Sequence, residues 1–307
     1  MKMTGRVVVI GDALIDELRD DAGVREFVGG AALNVAVGLA RLGFPTSLIA
    51  MVGDDSAGAH IRTYLDDYGV SLIPTIGPYG TSRAVSVRSA GGEPTYQFNE
   101  AAQRRRVNFG DAEIAAVSGA AMTVISCFPF DNAGQTRELA EVLETAGGQI
   151  SIDPNPRSGM MHDRGEFVRG FERIVAGASL AKVGDDDAAL LYGTSLEELR
   201  ARLVSLGVES VLATAGAAGA SVEAGDVVVS APISRMPGPI IDTMGAGDAV
   251  LSSTVASLLS HHPGDASDWT EVLVTAMDVA AATCRFEGAL LRLPSALSGL
   301  SSDRFGS

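Results

Sequence analysis

The sequence predicts an α/β protein: a doubly wound, mainly parallel sheet flanked by helices, with a small second β-sheet attached. Three observations lead there. Short continuous apolar runs alternate with stretches of helical spacing, two segments break that rhythm into apolar–polar alternation, and the rhythm then resumes. At 307 residues and 46% hydrophobic, the chain can fill one large core, so we read 1–307 as a single domain.

Val7–Ile10 is a continuous apolar run, as a parallel strand buried on both faces requires. Ala32–Leu42 has apolar residues at helical spacing and ends at the turn Gly43-Phe44-Pro45. Ser47–Val52 is the next strand, and Ala57–Tyr68 a second helix closed by Gly69. The alternating segments are Asp12–Val28, around Gly23, and Thr81–Asn99, a hairpin around Gly91-Gly92. Half-exposed strands do not fit the interior of a doubly wound sheet, so these insertions, about 12–28 and 81–100, form the small sheet. Strands are then predicted at Met122–Ser126, Gln149–Asp153, Leu180–Val183, Ser210–Ala215 and Val227–Ser230. The matching helices are Gly134–Ala146, Glu166–Val175, Leu196–Leu206, Gly247–Ser260 and Thr270–Arg285. The serine-rich tail after Leu297 is expected to fray.

A formal charge of −15 argues against nucleic acid or an anionic membrane as partner, since both reward positive charge. Two cysteines, Cys127 and Cys284, cannot build a disulfide framework and favour a reducing, cytoplasmic compartment. MKMTGRVVVIGD has no apolar signal core, and no run of apolar residues is long enough to span a bilayer. Of the 23 basic residues only Lys2 and Lys182 are lysine, and neither can complete a GxxxxGK[ST] phosphate loop. His60, His162, His261 and His262 are scattered without zinc-ligand spacing. Arg104-Arg105-Arg106 reads as a solvated turn, with contact to a phosphorylated substrate as the alternative.

Three stretches carry chemistry. In DTMGAGDAV (242–250), Gly245, Ala246 and Gly247 present backbone N–H groups where a helix begins. Such groups lack intrahelical acceptors, and the helix dipole adds positive charge, so the turn suits an anion. Asp248 falls in the first turn, where it either acts on a ligand or merely stabilises the helix start. In GGAALN (29–34), glycines let the backbone approach a ligand while Asn34 supplies both a donor and an acceptor; a tight turn with a surface asparagine is the alternative. GDALID (11–16) follows the first strand, where open α/β sheets bind ligands, and its Asp12 and Asp16 either suit sugar hydroxyls or simply solvate the loop.

Together these stretches resemble the ribokinase-like (PfkB) carbohydrate kinases, in particular fructokinases. GGAALNVAVGLARLG (29–43) is similar to the family's N-terminal signature, and DTMGAGDAV to its more specific C-terminal one. VGDDSAG (52–58), DPNPR (153–157), TAGAAG (214–219) and EGA (287–289) agree. The resemblance implies transfer of the γ-phosphoryl group of ATP, with Mg²⁺, to a sugar hydroxymethyl beneath a lid made by the small sheet. It assigns Asp248 as catalytic base and the amides of Gly245, Ala246 and Gly247 as an anion hole. It gives Asp16, Gly30 and Asn34 to the sugar, with Asp12 beside them and Arg157 reaching either sugar or phosphate. Thr214, Gly216 and Gly219 fall on the nucleotide side with Lys182, while Asp242 and the Gly288 region are where the family places a monovalent cation such as K⁺. Gly184 and Asp187 stand where the family has the Asn and Glu of NxxE, which organise Mg²⁺ through water, and Val250 and Ser252 replace an aromatic and a glycine.

Fructose is the expected sugar. A 2-keto-3-deoxygluconate kinase or ribokinase is the alternative, and an acidic sugar would call on Arg25, Arg83 or Arg88 in the lid. A catalytically silent sugar- or nucleotide-binding regulator is the reading from another class; an intact Asp248 weighs against it. An NAD-dependent dehydrogenase lacks its glycine fingerprint in the first βα unit. An apolar face on the lid sheet invites a homodimer.

Overall fold

The computed structural model describes residues 5–20, 23–87 and 95–298. Its strands begin with β1 (Val7–Gly11), β2 (Leu14–Asp20), β3 (Gly23–Gly29), β4 (Thr46–Met51), β5 (Ser71–Thr75), β6 (Ser82–Val87) and β7 (Thr95–Phe98). They continue with β8 (Met122–Ser126), β9 (Gln149–Asp153), β10 (Leu180–Gly184), β11 (Ser210–Thr214), β12 (Ala220–Ala224) and β13 (Val227–Ala231). The helices are α1 (Ala31–Arg41), α2 (Ser56–Asp67), α3 (Glu100–Gln103), α4 (Asp111–Ser118) and α5 (Ala133–Leu143). After them come α6 (Arg164–Val175), α7 (Asp185–Asp187), α8 (Leu196–Ser205), α9 (Ala246–Ser260) and α10 (Ala266–Thr283).

The large sheet runs β13-β12-β11-β10-β9-β8-β1-β4-β5. Every pairing from β11 across to β5 is parallel; β12 and β13 close one edge antiparallel. The chain therefore travels outward from β1 in both directions, and the strand ends near β1 form the crevice where such sheets bind ligands. Alternate residues of β1 feed two cores, one on each face of the sheet. Val7 and Val9 pack with Leu33 of α1, Leu251 and Val255 of α9 and Leu273 of α10; Val8 and Ile10 pack with Val117, Leu139, Phe167, Phe171 and Leu199 beneath α4, α5, α6 and α8. A strand buried on both faces reads as an uninterrupted apolar run, which is why VVVIG was recognisable.

The second sheet has the order β3-β2-β6-β7. Within each insertion the strands pair antiparallel, β2 with β3 and β6 with β7, while the two insertions join through a parallel β2–β6 pairing from Leu14↔Ser82 to Arg19↔Val87. Each insertion alone would be a marginal two-stranded hairpin, and the parallel seam gives both a four-stranded sheet. The expected turn at Gly91-Gly92 and the tail beyond residue 298 lie outside the described residues.

Several elements escaped the sequence reading. β5 is an edge strand with partial burial and a proline at Pro74, so it lacks the continuous apolar run. β12 is short and mixed, and joins β13 through a turn in which Gly225 has φ 57°. In α4 only Glu113 and Val117 are buried, so no apolar stripe marks it. The arginine run also differs from expectation: Arg105 is 7% exposed, and its guanidinium donates to the carbonyls of Ala102, Cys127 and Met160. Its charge is buried among backbone acceptors rather than solvated.

Candidate active site

Asp12 follows β1 directly, and its geometry fixes the start of α1. Its Oδ1 accepts the Ala32 N–H at 3.0 Å and its carbonyl accepts the Leu33 N–H at 3.2 Å. Gly30, at φ 104°, caps that helix, and a Cβ there would lie 3.0 Å from the Asp12 and Ala13 backbone. One oxygen of the predicted sugar contact Asp12 is thus committed to the helix, and the carboxylate also bonds the Cys127 thiol. Asp16 projects from β2 against Gly29, where a Cβ would come within 2.2 Å of Asp16 Oδ2. Glycine there makes the room the carboxylate occupies. Burial, then the neighbouring charge of Asp12, pushes the Asp16 carboxyl up to about 7, with Arg157 opposing.

Asn34 sits one turn into α1 and donates from Nδ2 to Asp248 Oδ2 at 2.8 Å. This bond joins the two signature stretches across 214 residues of chain. Asp248 lies in the first turn of α9, which Gly245 starts at φ 75°. A Cβ on Gly245 would meet Ala289 at 2.6 Å, so both space and backbone conformation demand glycine. Of the three predicted anion-hole residues, Ala246 turns its N–H to the Thr243 carbonyl at 3.2 Å. The first intrahelical bond is Ala249 N–H to Gly245 O, so the amides of Gly247 and Asp248 have no helical acceptor. The Ala246 amide is thus engaged within the turn, while those of Gly245, Gly247 and Asp248 have no backbone acceptor among the described residues. Burial drives the Asp248 carboxyl up to about 6; Asn34, Lys182 and Arg157 restrain the rise and Asp153 adds to it.

Beneath that turn, the ends of β9 and β10 bring together residues of opposite charge. Asp153 and Lys182 follow in register after the pair Ala181↔Ile152, and Lys182 Nζ donates to Asp153 Oδ2 at 3.0 Å. Asp153 is wholly buried and Lys182 nearly so. Asp153 was visible only as the first residue of DPNPR; its position at the end of a buried apolar strand was the available signal. Asp187 accepts the Gly184 N–H on Oδ2 at 2.6 Å, and burial, with Asp153 adding, raises its carboxyl to about 6 against the pull of Lys182. Arg157 is solvent-accessible, and its charge faces Asp248, Asp12 and Asp187. Cys127 and Asn155, just past β8 and β9, hold positive φ of 52° and 36° without being glycine. Strained backbone of this kind collects at ligand sites.

The remaining predicted residues lie around the same end of the sheet. Thr214 ends β11 and donates from its hydroxyl to Val183 O at 3.3 Å. Gly216 and Gly219 have φ 48° and 95°, and a Cβ on Gly219 would strike Ala231 O at 2.2 Å. Asp242 accepts the Met244 N–H on Oδ1 at 3.0 Å and the Gly288 N–H on Oδ2 at 3.1 Å, tying the stretch before α9 to the loop after α10. Of the replaced positions, Ser252 is buried, donates to Asp248 O at 2.7 Å and lies where a Cβ on Gly38 would be, 2.6 Å from its Oγ. The small Gly38 accommodates it, so the departure alters packing while the Asp248 backbone stays anchored.

Among the described residues no group of three or more His, Cys, Asp or Glu is placed to grip a metal directly, and no helix is long and apolar enough to cross a membrane. Residues 4–296 match the family described as pfkB family carbohydrate kinase. The chain is 31% identical to a fructokinase of Rhizobium leguminosarum bv. trifolii, covering 82% of this chain and 79% of that protein. It is 29% identical to a fructokinase of Klebsiella pneumoniae over 95% of this chain and 97% of that one. A crystal structure of aminoimidazole riboside kinase from Salmonella enterica, complexed with aminoimidazole riboside and an ATP analogue, superposes with a TM-score of 0.73 at 26% identity, covering 95% of this chain and 98% of that chain.

Proposed function

The chain belongs to the pfkB family of carbohydrate kinases, and from that premise we propose that it transfers the γ-phosphoryl group of ATP to a hydroxymethyl of fructose. It is an ATP-dependent sugar kinase. The observation that carries the assignment of roles is the placement of Asp248: a buried carboxyl raised to about 6, held by Asn34, beside helix-start amides. A base whose pKa lies near neutrality can both be ionised and accept a proton, as general-base catalysis requires. The sugar alcohol approaches Asp248 and gives it the proton as its oxygen bonds to the γ-phosphorus. The Gly247 and Asp248 amides receive charge on the transferring oxygens, with donors already fixed in place.

Asp16, Asp12, Gly30 and Asn34 make the sugar side; Thr214, Gly216 and Gly219 make the nucleotide side. Asp187 and Asp153 fit a hydrated Mg²⁺, because Asp153 Oδ1 is buried without a hydrogen-bond partner and Asp187 commits only Oδ2 to Gly184. Bound there through water, the ion would offset phosphate charge. A monovalent cation would act at the Asp242–Gly288 tie, whose two backbone donors hold the carboxylate in place.

Charge supports a neutral sugar. Arg83 pairs with Glu26 at 2.7 Å and Glu17 at 3.5 Å, Arg25 pairs with Glu287, and Arg105 is spent on carbonyls. Arg88 lies outside the described residues. Asp12 and Asp16, when ionised, would repel a carboxylate or phosphate on the substrate. The solvent-accessible Arg157 is the one feature favouring the second reading, a 2-keto-3-deoxygluconate kinase. We read the small sheet as a lid over this site; its β3 reaches the loop after α10 through Arg25–Glu287 and through Phe27, which lies 3.6 Å from a Cβ built on Gly288. Val24, 62% exposed on β3, marks the face a second copy would cover in a homodimer. Buried, unpaired Cys127 and Cys284 support a cytoplasmic setting. The test is ADP release with fructose, ribose and 2-keto-3-deoxygluconate. The account predicts fructose as the preferred acceptor; preference for either other sugar overturns the substrate, and release with none overturns the kinase reading.

A further inference from the structure

The pair Lys182–Asp153 is under-satisfied on both sides. Among the described residues the only hydrogen bond of the Lys182 ammonium goes to Asp153 Oδ2, so two of its three N–H donors lack an acceptor. Asp153 Oδ1 is buried and has no partner. A buried ion pair offsets its desolvation only when its remaining donors and acceptors are also bonded, so unmatched groups in a native interior call for an explanation. Their position supplies one. A Cβ built on Gly247 would lie 3.2 Å from Lys182 Nζ, which places the ammonium directly against the first turn of α9. The free donors of Lys182 and the free amides of Gly247 and Asp248 therefore border the same space.

We propose that Lys182 is a catalytic residue that donates its spare N–H groups to the γ-phosphoryl group in flight, and that Asp153 is the positioning residue holding it there. This deepens the kinase reading and rests on it for the chemistry. As the bond from the sugar oxygen to the γ-phosphorus forms, the bond from that phosphorus to the bridging oxygen breaks. The alcohol proton goes to Asp248 and the electron pair leaves on ADP. The transferring oxygens then gain acceptor strength beside the ammonium, and a lysine acts on phosphate as a point charge. Asp153 keeps the stem from folding back onto Asp187 or Asp248, whose carboxylates also face it.

The test measures nucleotide binding by calorimetry alongside turnover, for Lys182→Met, Lys182→Arg and Asp153→Asn. In Lys182→Met, affinity for β,γ-imido-ATP is expected to fall about tenfold or more beyond any loss for ADP, and kcat about 10²–10³-fold, as for removal of one transition-state donor. Lys182→Arg is expected to recover part of both. Because Lys182→Met strands a buried carboxylate, the double variant Lys182→Met/Asp153→Asn removes both charges and serves as the folded control. It should keep the selective loss for β,γ-imido-ATP. Asp153→Asn should move the acid limb of kcat/KM to lower pH and Lys182→Met to higher pH, because their charges act on Asp248 with opposite sign; a merely structural role would not move the limb in opposite directions. Equal losses for ADP and β,γ-imido-ATP, or near wild-type turnover in the folded double variant, would overturn the proposal. Binding is read without sugar, so a wild-type protein that phosphorylates no sugar defeats the kinase reading and leaves this contact separately measurable.

Discussion

Replacing Asn34 with leucine removes one bond and little volume from the centre of the site. The Asn34 Nδ2 donor stands 2.8 Å from Asp248 Oδ2 and is among the groups that restrain the rise of that carboxyl to about 6. A hydrogen bond to a charged group contributes about 1.5–3 kcal/mol. At about 1.36 kcal/mol per pH unit, its loss lifts the Asp248 pKa by about 1–2 units. Asp248 acts as a base when ionised, so kcat/KM is lost as pH falls through that pKa, and the acid limb moves to higher pH, between about 7 and 8. The assay is kcat/KM for the sugar from pH 5 to 9 at saturating ATP. Any direct loss of sugar contact lowers the whole curve and leaves its limb in place, so the two effects separate. An acid limb at the wild-type pH in Asn34→Leu would refute the claim that this bond tunes the base.

The layered architecture was legible because buried parallel strands and amphipathic helices leave regular patterns; VVVIG and ALNVAVGLARL are their plainest cases. The small sheet was legible from alternation, but its parallel seam between β2 and β6 was not, since pairing between residues 68 apart in the chain leaves no local trace. At the site, glycines and aspartates at strand ends and helix starts were legible as local patterns, and the fold brings Asn34 and Asp248 together. Two details depended on tertiary contact and one on the turn itself. The Asn34 amide bonds Asp248 and Asp153 anchors Lys182, while the Ala246 N–H turns to Thr243. Arg105 was misjudged because a run of three arginines reads as solvated, whereas local carbonyls can absorb one of them.

Asp248→Asn should stabilise the fold at pH 8 by up to about 3 kcal/mol, from a carboxyl raised from 3.8 to about 6. Between those values the native state binds more protons than the unfolded chain, so wild-type stability falls as pH rises. The variant's advantage in denaturant unfolding should grow from pH 5 to 6 and level off above 7, and an advantage that is absent or flat with pH contradicts the raised pKa. Gly245→Ala should cost about 1–3 kcal/mol and most activity, because φ 75° and the approach to Ala289 both exclude a side chain; a variant as stable and active as wild type speaks against the turn geometry. If the small sheet closes over bound sugar, ATP hydrolysis without sugar is far slower than transfer, and equal rates count against closure.

The most direct test of Asp248 as the base is the turnover of Asp248→Asn with sugar affinity measured beside it. Asparagine keeps the acceptor for Asn34 and removes the proton acceptor. The account predicts a fall in kcat of about 10²–10⁴-fold with sugar binding close to wild type. A variant that phosphorylates sugar at near-normal speed contradicts it.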